Sequence, residues 1–157
     1  MVIGLLTPEG RVDSERTKRL MEAAAPLSIT FHRAFDMTAD PFEALETLVS
    51  LGVKRILTSG QEATVLEGLP LIRDLIRVAG DRVIIMPGGG ITERNITRII
   101  AEAQPQELHF AALQPIESPM RERRAHVFMG GELRAPEYGR LDTSATLLSQ
   151  IVAQASR

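Results

Sequence analysis

Short aliphatic runs alternate along the chain with longer stretches whose apolar residues recur every three or four positions. The runs begin near residues 2, 27, 54, 82 and 106, a spacing of about 25–28 residues. Runs of this length predict strands, and the stretches between them predict amphipathic helices. Strands are predicted over residues 2–6, 27–33, 54–58, 82–86 and 107–111. This alternation predicts an α/β fold with parallel strands and right-handed crossovers.

Capping residues and helix breakers mark where the predicted helices begin and end. Asp13 predicts the start of a helix that runs to about residue 25, where Pro26 ends it. Asp40, followed by a proline, predicts the start of the next helix, which Gly52 ends. Three more helices are predicted over residues 64–78, 92–103 (capped by Thr92) and 143–155, and a long polar loop over residues 114–139.

Five βα units fit two architectures, a complete five-stranded doubly wound sheet or part of an eight-stranded (β/α)8 barrel. A barrel takes about 250 residues, or about 31 per unit, so a chain of this length corresponds to about five units. The spacing of the strands does not separate the two architectures. Because the chain starts inside a predicted strand, the barrel interpretation leads us to expect further units before it.

Composition narrows the class of protein. The chain has 157 residues, a net charge of −2, 44% hydrophobic residues and no cysteine. Without cysteine there is no disulfide, thiolate metal site or catalytic thiol. The near-neutral charge and the 4% aromatic content argue against a nucleic-acid partner. No apolar run approaches the ~20 residues that cross a bilayer, and no signal peptide is evident. We therefore expect a single cytoplasmic domain over residues 1–157.

Chemistry in either architecture is expected at the mouth, meaning the surface beyond the carboxyl ends of the strands. The segment TFHRAFD places His32, Arg33 and Asp36 at the end of the second strand. A guanidinium grips an anion, a histidine exchanges protons, and Asp36 is suited to orient either group. These residues are candidate catalytic groups, with Arg33 also a candidate anion ligand. The alternative is a strand-end ion pair with His32 packed inside the fold.

Two further strand ends carry candidate anion-binding groups. Ser59 and Gln61, in the segment LTSGQ, offer a hydroxyl and an amide, although ordinary turn chemistry accounts for them equally. Gly88, Gly89 and Gly90, in PGGGI, expose backbone amides before a predicted helix, which favours an anion such as phosphate. No Gly-Lys-Ser/Thr follows, so this loop is not a P-loop. A tight structural turn is the alternative.

The fifth predicted strand adds one more candidate. Alternation places Glu107 and His109 on one face, which looks inward in a barrel. His109 is a candidate catalytic residue by position, although a lone strand histidine is commonly a core residue. The chain holds three histidines and six methionines without close paired spacing, so the metal ligands are unknown from the sequence.

Together, TFHRAFD, LTSGQ, PGGGI and the later ELHFA resemble, in this order and spacing, the CutC family, the so-called copper homeostasis proteins. The resemblance extends over essentially the whole chain. It implies a (β/α)8 barrel of which this chain matches about strands four to eight, and thus favours a partial barrel over the doubly wound sheet. It also implies a cytoplasmic homo-oligomer.

The resemblance implies copper as a cofactor, with one departure. The cysteines proposed as copper ligands in the family lie near the start of the longer proteins, and this chain has no cysteine. Three hypotheses follow. The first is a role in copper homeostasis with copper binding. The second is a barrel enzyme or binder for a small phosphorylated or carboxylated ligand at the mouth. The third is an inactive truncated product.

Overall fold

The structure is a computed structural model that describes residues 1–124, 126–127 and 139–156. It divides into two compact units, Met1–Phe110 and Ala111–Arg157. The single domain that the sequence predicts over the whole chain stays a prediction. Among the described residues, no helix combines the length and apolar character needed to cross a bilayer.

The first unit has four strands, each followed by a helix. The strands are β1 (Val2–Ile3), β2 (Thr30–Phe31), β3 (Arg55–Thr58) and β4 (Ile84–Pro87). The helices are α1 (Ser14–Ala24), α2 (Pro41–Leu51), α3 (Val65–Ala79) and α4 (Ile96–Ala103), with a 3₁₀ helix (Arg33–Met37) before α2.

The strand order decides between the two architectures. All pairs are parallel, and the order in space, β1-β2-β3-β4, is the order in sequence. A doubly wound sheet reverses its order at a switch point, whereas a barrel adds each strand beside the last. The helices follow the same rule, since α1 packs on α2, α2 on α3 and α3 on α4. The first unit is therefore a segment of a (β/α)8 barrel.

The fifth predicted strand is reduced to a single bridge. His109 pairs with Gly88 in parallel, and its N–H donates to the carbonyl of Pro87 at 2.9 Å. No further ladder pair with β4 follows among the described residues. The prediction of a strand over residues 107–111 is therefore wrong in extent, and the described sheet has four strands and one bridge.

The helix boundaries follow local capping in most places. The Asp40 carboxylate accepts hydrogen bonds from two amides of the first turn of α2, and Gly52 ends that helix with a φ of 81°. The predicted start at Thr92 is wrong. The Asn95 side chain accepts the Thr92 N–H at 2.8 Å and closes a turn, so α4 starts only at Ile96.

One face of the sheet is covered by the helices. Alternate strand residues on this face are buried and form one core with the inner residues of α2 and α3. The strand residues of that core are Ile3, Phe31, Ile56 and Ile85, and its fully buried helix residues include Leu45, Leu48 and Leu75. The intervening strand positions, among them Thr30 and Arg55, point to the opposite face, which is the inside of a barrel.

The second unit is an antiparallel strand pair with a helix. β5 (Leu113–Glu117) pairs with β6 (Gly139–Thr143), and α5 (Ala145–Ala155) follows. The prediction of a loop over residues 114–139 is therefore wrong at both of its ends, while the Gly130-Gly131 pair within it lies outside the described residues. The last helix is confirmed, with Ser144 accepting the N–H of Leu147 as its cap.

Candidate functional site

Asp36 is the centre of a cluster of hydrogen bonds between two strand ends, called here the Asp36 cluster (Arg33, Asp36, Thr58, Ser59 and Gln61). The Asp36 side chain is 7% exposed. Its carboxylate accepts hydrogen bonds from Arg33 Nε at 2.7 Å, from the Ser59 hydroxyl at 3.0 Å and from the backbone N–H of Gln61 at 3.2 Å. The Ser59 amide and the Thr58 hydroxyl also donate to it. One carboxylate thus ties the loop after β2 to the loop after β3.

These donors keep Asp36 ionised. Burial alone raises the pKa of this carboxyl, but hydrogen bonds from Thr58, from Arg33 and from the amides of Ser59 and Gln61 outweigh burial and hold the pKa below its usual value. An ionised, fully hydrogen-bonded carboxylate is suited to orient a neighbour and is unsuited to donate a proton at neutral pH. The neighbour that it contacts is Arg33.

The Arg33 guanidinium uses Nε and Nη2 in hydrogen bonds within the protein, and its Nη1 is left without a described partner. Its Nε donates to Asp36, and its Nη2 donates to the Ser59 hydroxyl at 2.5 Å and to the Glu62 carbonyl at 3.2 Å. Within the described part of the chain, Nη1 has no hydrogen-bond partner. Since 43% of the side chain is exposed, this nitrogen belongs to a group that reaches solvent.

Two predicted ligand-binding side chains lie in the cluster but use their hydrogen bonds there. Ser59 is fully buried, and its hydroxyl accepts from Arg33 while lying 2.5 Å from the Glu62 carbonyl. Gln61 Nε2 donates to the Thr38 carbonyl at 2.6 Å and to the Thr38 hydroxyl oxygen at 3.2 Å. Both side chains therefore hold the loop in place and leave no free N–H or O–H donor for a ligand.

The glycine loop supplies two free backbone amides. Gly88 N–H donates to the Thr58 carbonyl at 2.9 Å and continues the sheet. Gly89 and Gly90 have φ values of 128° and 73°, and their amides make no hydrogen bond with any described residue. The Arg33 guanidinium lies against Gly89, where an added Cβ would stand 3.2 Å from Nη1. Because α4 starts only at Ile96, the loop presents its amides without a helix terminus directly behind it.

His32 is fixed by the backbone at one ring nitrogen. Its Nδ1 accepts the Ala34 N–H at 3.0 Å and caps the 3₁₀ helix. An accepting Nδ1 places the proton of the neutral ring on Nε2. The ring covers Gly4, where an added Cβ would overlap the imidazole Cε1. No hydrogen bond joins the His32 side chain to the Asp36 cluster in the described structure.

His109 lies further along the sheet. An ion pair that was not predicted from the sequence lies there as well. His109 is exposed and bridges Gly88 through its backbone. Two positions earlier, Glu107 binds Arg55 at two points, 2.6 and 2.8 Å. That pairing lowers the pKa of Glu107 and raises the pKa of Arg55. Arg55 is a charged residue inside a predicted strand, and this position could have indicated that it needs an acidic partner.

Metal-binding groups do not come together in the described residues. No three histidine, cysteine, aspartate or glutamate side chains there are placed to hold one ion. His32 has one nitrogen engaged, and the chain has no cysteine to offer as a soft ligand for Cu(I). The described residues thus offer no group of three histidine, cysteine or carboxylate ligands for a copper ion.

Comparison with known sequences identifies the family. The sequence model of the CutC family matches residues 1–114. The chain belongs to the CutC family. It is 47% identical over 146 residues to the human copper homeostasis protein cutC homolog, covering 93% of this chain and 54% of the relative. A CutC family protein of Mesorhizobium japonicum is 46% identical over 155 residues, covering 99% of this chain and 60% of the relative.

A solved CutC structure supports the same assignment. The crystal structure of CutC from Streptococcus agalactiae is 34% identical to the chain, with a TM-score of 0.65 over 69% of this chain and 53% of that one. The chain therefore spans between half and three-fifths of the length of these CutC relatives.

Proposed function

We propose that this CutC protein acts in copper homeostasis and that its mouth binds a small phosphorylated or carboxylated molecule. The name of the human relative, a copper homeostasis protein homolog, supports the first part. The second part rests on one observation, the placement of the partly exposed Arg33 guanidinium against Gly89, in a loop with two amides free of described partners. A fixed cation beside unpaired amides favours an anion.

The Asp36 cluster supplies preorganisation for this binding. Arg33 makes three hydrogen bonds before any ligand arrives, so little side-chain entropy is lost when an anion contacts Nη1. Asp36 is in contact with Arg33 and with neither histidine, so its proposed role is to position the guanidinium. Proton transfer by His32 or His109 stays a prediction.

The proposal takes copper homeostasis from the name of the human relative. It does not include a copper ion bound to this chain. A Cu(I) titration of the purified chain with a chromogenic competitor tests that distinction. We expect no saturable site tighter than micromolar. A stoichiometric site of higher affinity would show that copper binds the chain directly and would replace this part of the proposal.

Anion binding is tested by ligand-induced stabilisation. A ligand that binds only the folded state raises the melting temperature with its concentration. We expect phosphate, sulfate or acetate to do so in the wild type beyond the effect of chloride, and the increase to disappear in Arg33→Gln. Arg11→Gln, which changes an exposed arginine paired with Glu43, is the matched control and keeps the increase. Equal stabilisation of Arg33→Gln would exclude this site.

A cytoplasmic homo-oligomer is part of the same proposal. Large apolar side chains are exposed in the described residues, among them Leu27 before β2 at 61% and Leu141 on β6 at 64%. Exposed apolar side chains favour association with another chain. Light scattering of the purified chain is expected to show more than one copy, and a monodisperse monomer would contradict this expectation.

A further inference from the structure

The hydrogen bonds of Arg33 restrict the shape of anion that it accepts. A guanidinium carries five N–H donors, one on Nε and two on each terminal nitrogen. A carboxylate usually binds two parallel donors, taken from the Nε–Nη2 edge or from the Nη1–Nη2 end. Both pairs include Nη2, whose two hydrogens are directed to Ser59 and Glu62. Neither two-point arrangement is left for a carboxylate ligand.

Asp36 closes the remaining route. A carboxylate ligand would gain the Nε–Nη2 edge only by displacing Asp36 from Nε. Asp36 is nearly buried and is also held by Thr58, Ser59 and Gln61, so displacement would leave several donors without partners. Buried donors without partners cost more than a new surface contact returns. The edge therefore stays occupied.

Three donor groups of the mouth have no hydrogen-bond partner among the described residues, and each lies on a different residue. They are Arg33 Nη1 and the amides of Gly89 and Gly90. A phosphoryl group has three terminal oxygens in a tetrahedral arrangement and can accept from each donor group with a different oxygen. A carboxylate has two oxygens in one plane and can satisfy fewer of them.

We propose that the mouth selects a phosphoryl group over a carboxylate. This inference rests on the proposed function and names the class of its ligand, a small phosphate monoester. Net charge does not make the selection, because the charges of Arg33 and Asp36 cancel. The selection comes from which hydrogen-bond donors remain free.

The test compares two anions of similar size, methyl phosphate and acetate, by following glycine amide signals in ¹⁵N-labelled protein. We expect the signals of Gly89 and Gly90 to move saturably with methyl phosphate, with a dissociation constant about tenfold lower than for acetate. Gly88 is the internal control, because its amide already donates to Thr58, and its signal should move little.

A variant tests the cause of the selection. Ser59→Ala removes the acceptor of one Nη2 hydrogen, so Nη2 gains a donor that a carboxylate ligand can take. We expect the preference for methyl phosphate to fall several-fold in Ser59→Ala. Ser50→Ala, at an exposed serine on α2, is the control and keeps the wild-type preference.

Each outcome decides one question. Acetate binding as tightly as methyl phosphate at Gly89 and Gly90 would overturn the selection and leave anion binding in place. If neither anion moves these signals, the proposed function fails as well. If folded Ser59→Ala keeps the wild-type preference for methyl phosphate, the engagement of Nη2 by Ser59 is not the cause of that preference. If Ser59→Ala does not fold, the wild-type titration still decides the selection itself.

Discussion

Arg55 and Glu107 form a two-point ion pair between positions 52 residues apart, with nitrogen–oxygen distances of 2.6 and 2.8 Å. Arg55 lies in β3, and Glu107 follows α4 in a segment whose backbone pairs with the described sheet through the bridge at His109. Each side chain of the pair is about one-third exposed. The pair therefore fastens the last segment of the first unit to the sheet.

Removing one charge of this pair is expected to destabilise the protein. Glu107→Gln should lower the midpoint of urea unfolding, because Arg55 loses a partner that it contacts with two nitrogens. Glu46→Gln is the matched control, since Glu46 also binds an arginine, Arg82, at two points but is more exposed. We expect a smaller effect there, as exposed ion pairs contribute little. Equal shifts would mean that the Arg55 pair has no special role.

Asp36→Asn is expected to lower the free energy of unfolding by about 2 kcal/mol near neutral pH, because a nearly buried charged acceptor is lost. The pKa of Asp36 in the folded state lies below the ordinary value of 3.8. The ionised carboxylate therefore stabilises the fold above that ordinary pKa. This contribution falls as the pH drops from there through the folded-state pKa.

The measurement is urea unfolding of the wild type and Asp36→Asn at a series of pH values. The difference between the two should be greatest near neutral pH and should shrink in acid. Asp74→Asn, in an exposed pair with Arg77, serves as a control and should change stability little at any pH. A wild-type advantage that grows on acidification would contradict the assigned role of Asp36.

Gly4→Ala is expected to release His32. A methyl group at position 4 would overlap the imidazole, so the ring must rotate and Nδ1 must leave the Ala34 amide. Imidazole ¹⁵N signals should then lose the pattern of a single tautomer, and the Ala34 amide should exchange faster with solvent. Gly52→Ala strains a φ of 81° at the end of α2, but its added Cβ meets no atom within 4 Å, so it controls for lost stability and should leave both signals unchanged. Retention of both in Gly4→Ala would show that the contact does not orient the ring.

Phe35→Leu tests whether the core beneath the Asp36 cluster supports it. Phe35 is fully buried in the 3₁₀ helix between Arg33 and Asp36, so the smaller side chain should cost about 1 to 2 kcal/mol. Phe42→Leu, at a phenylalanine that is 38% exposed, should cost less. Chemical denaturation measures both, and a greater loss in Phe42→Leu would contradict the burial pattern.

The elements predicted correctly are those whose signals are local. The start of α2 at Asp40 and its end at Gly52 depend on hydrogen bonds within one helical turn, which a short stretch of sequence determines. The pairing of β5 with β6 depends instead on residues about 26 positions apart. Pro115 within β5 made that segment resemble a loop, because proline cannot donate to a strand ladder.

The same distinction applies to the site. The sequence could place Arg33, Ser59 and the glycine loop at one edge of the sheet, because parallel strands end together there. It could not show which donors remain free. Ser59 and Gln61 use their donors inside the protein only because Asp36 and Thr38 lie beside them in space. Which donors are paired depends on contacts between segments that are far apart in sequence, and these contacts are known only from the structure.

The hydrogen bond between His32 and Ala34 has a consequence for metals. A soft metal ion approaching through Nδ1 would compete with the amide that starts the 3₁₀ helix, so binding would cost local structure around Arg33. An ion approaching through Nε2 needs the lone pair of that nitrogen, so the proton of the neutral ring would have to move to Nδ1, which could then no longer accept the Ala34 N–H. By either nitrogen, a metal ion on His32 would therefore cost the hydrogen bond that starts the 3₁₀ helix.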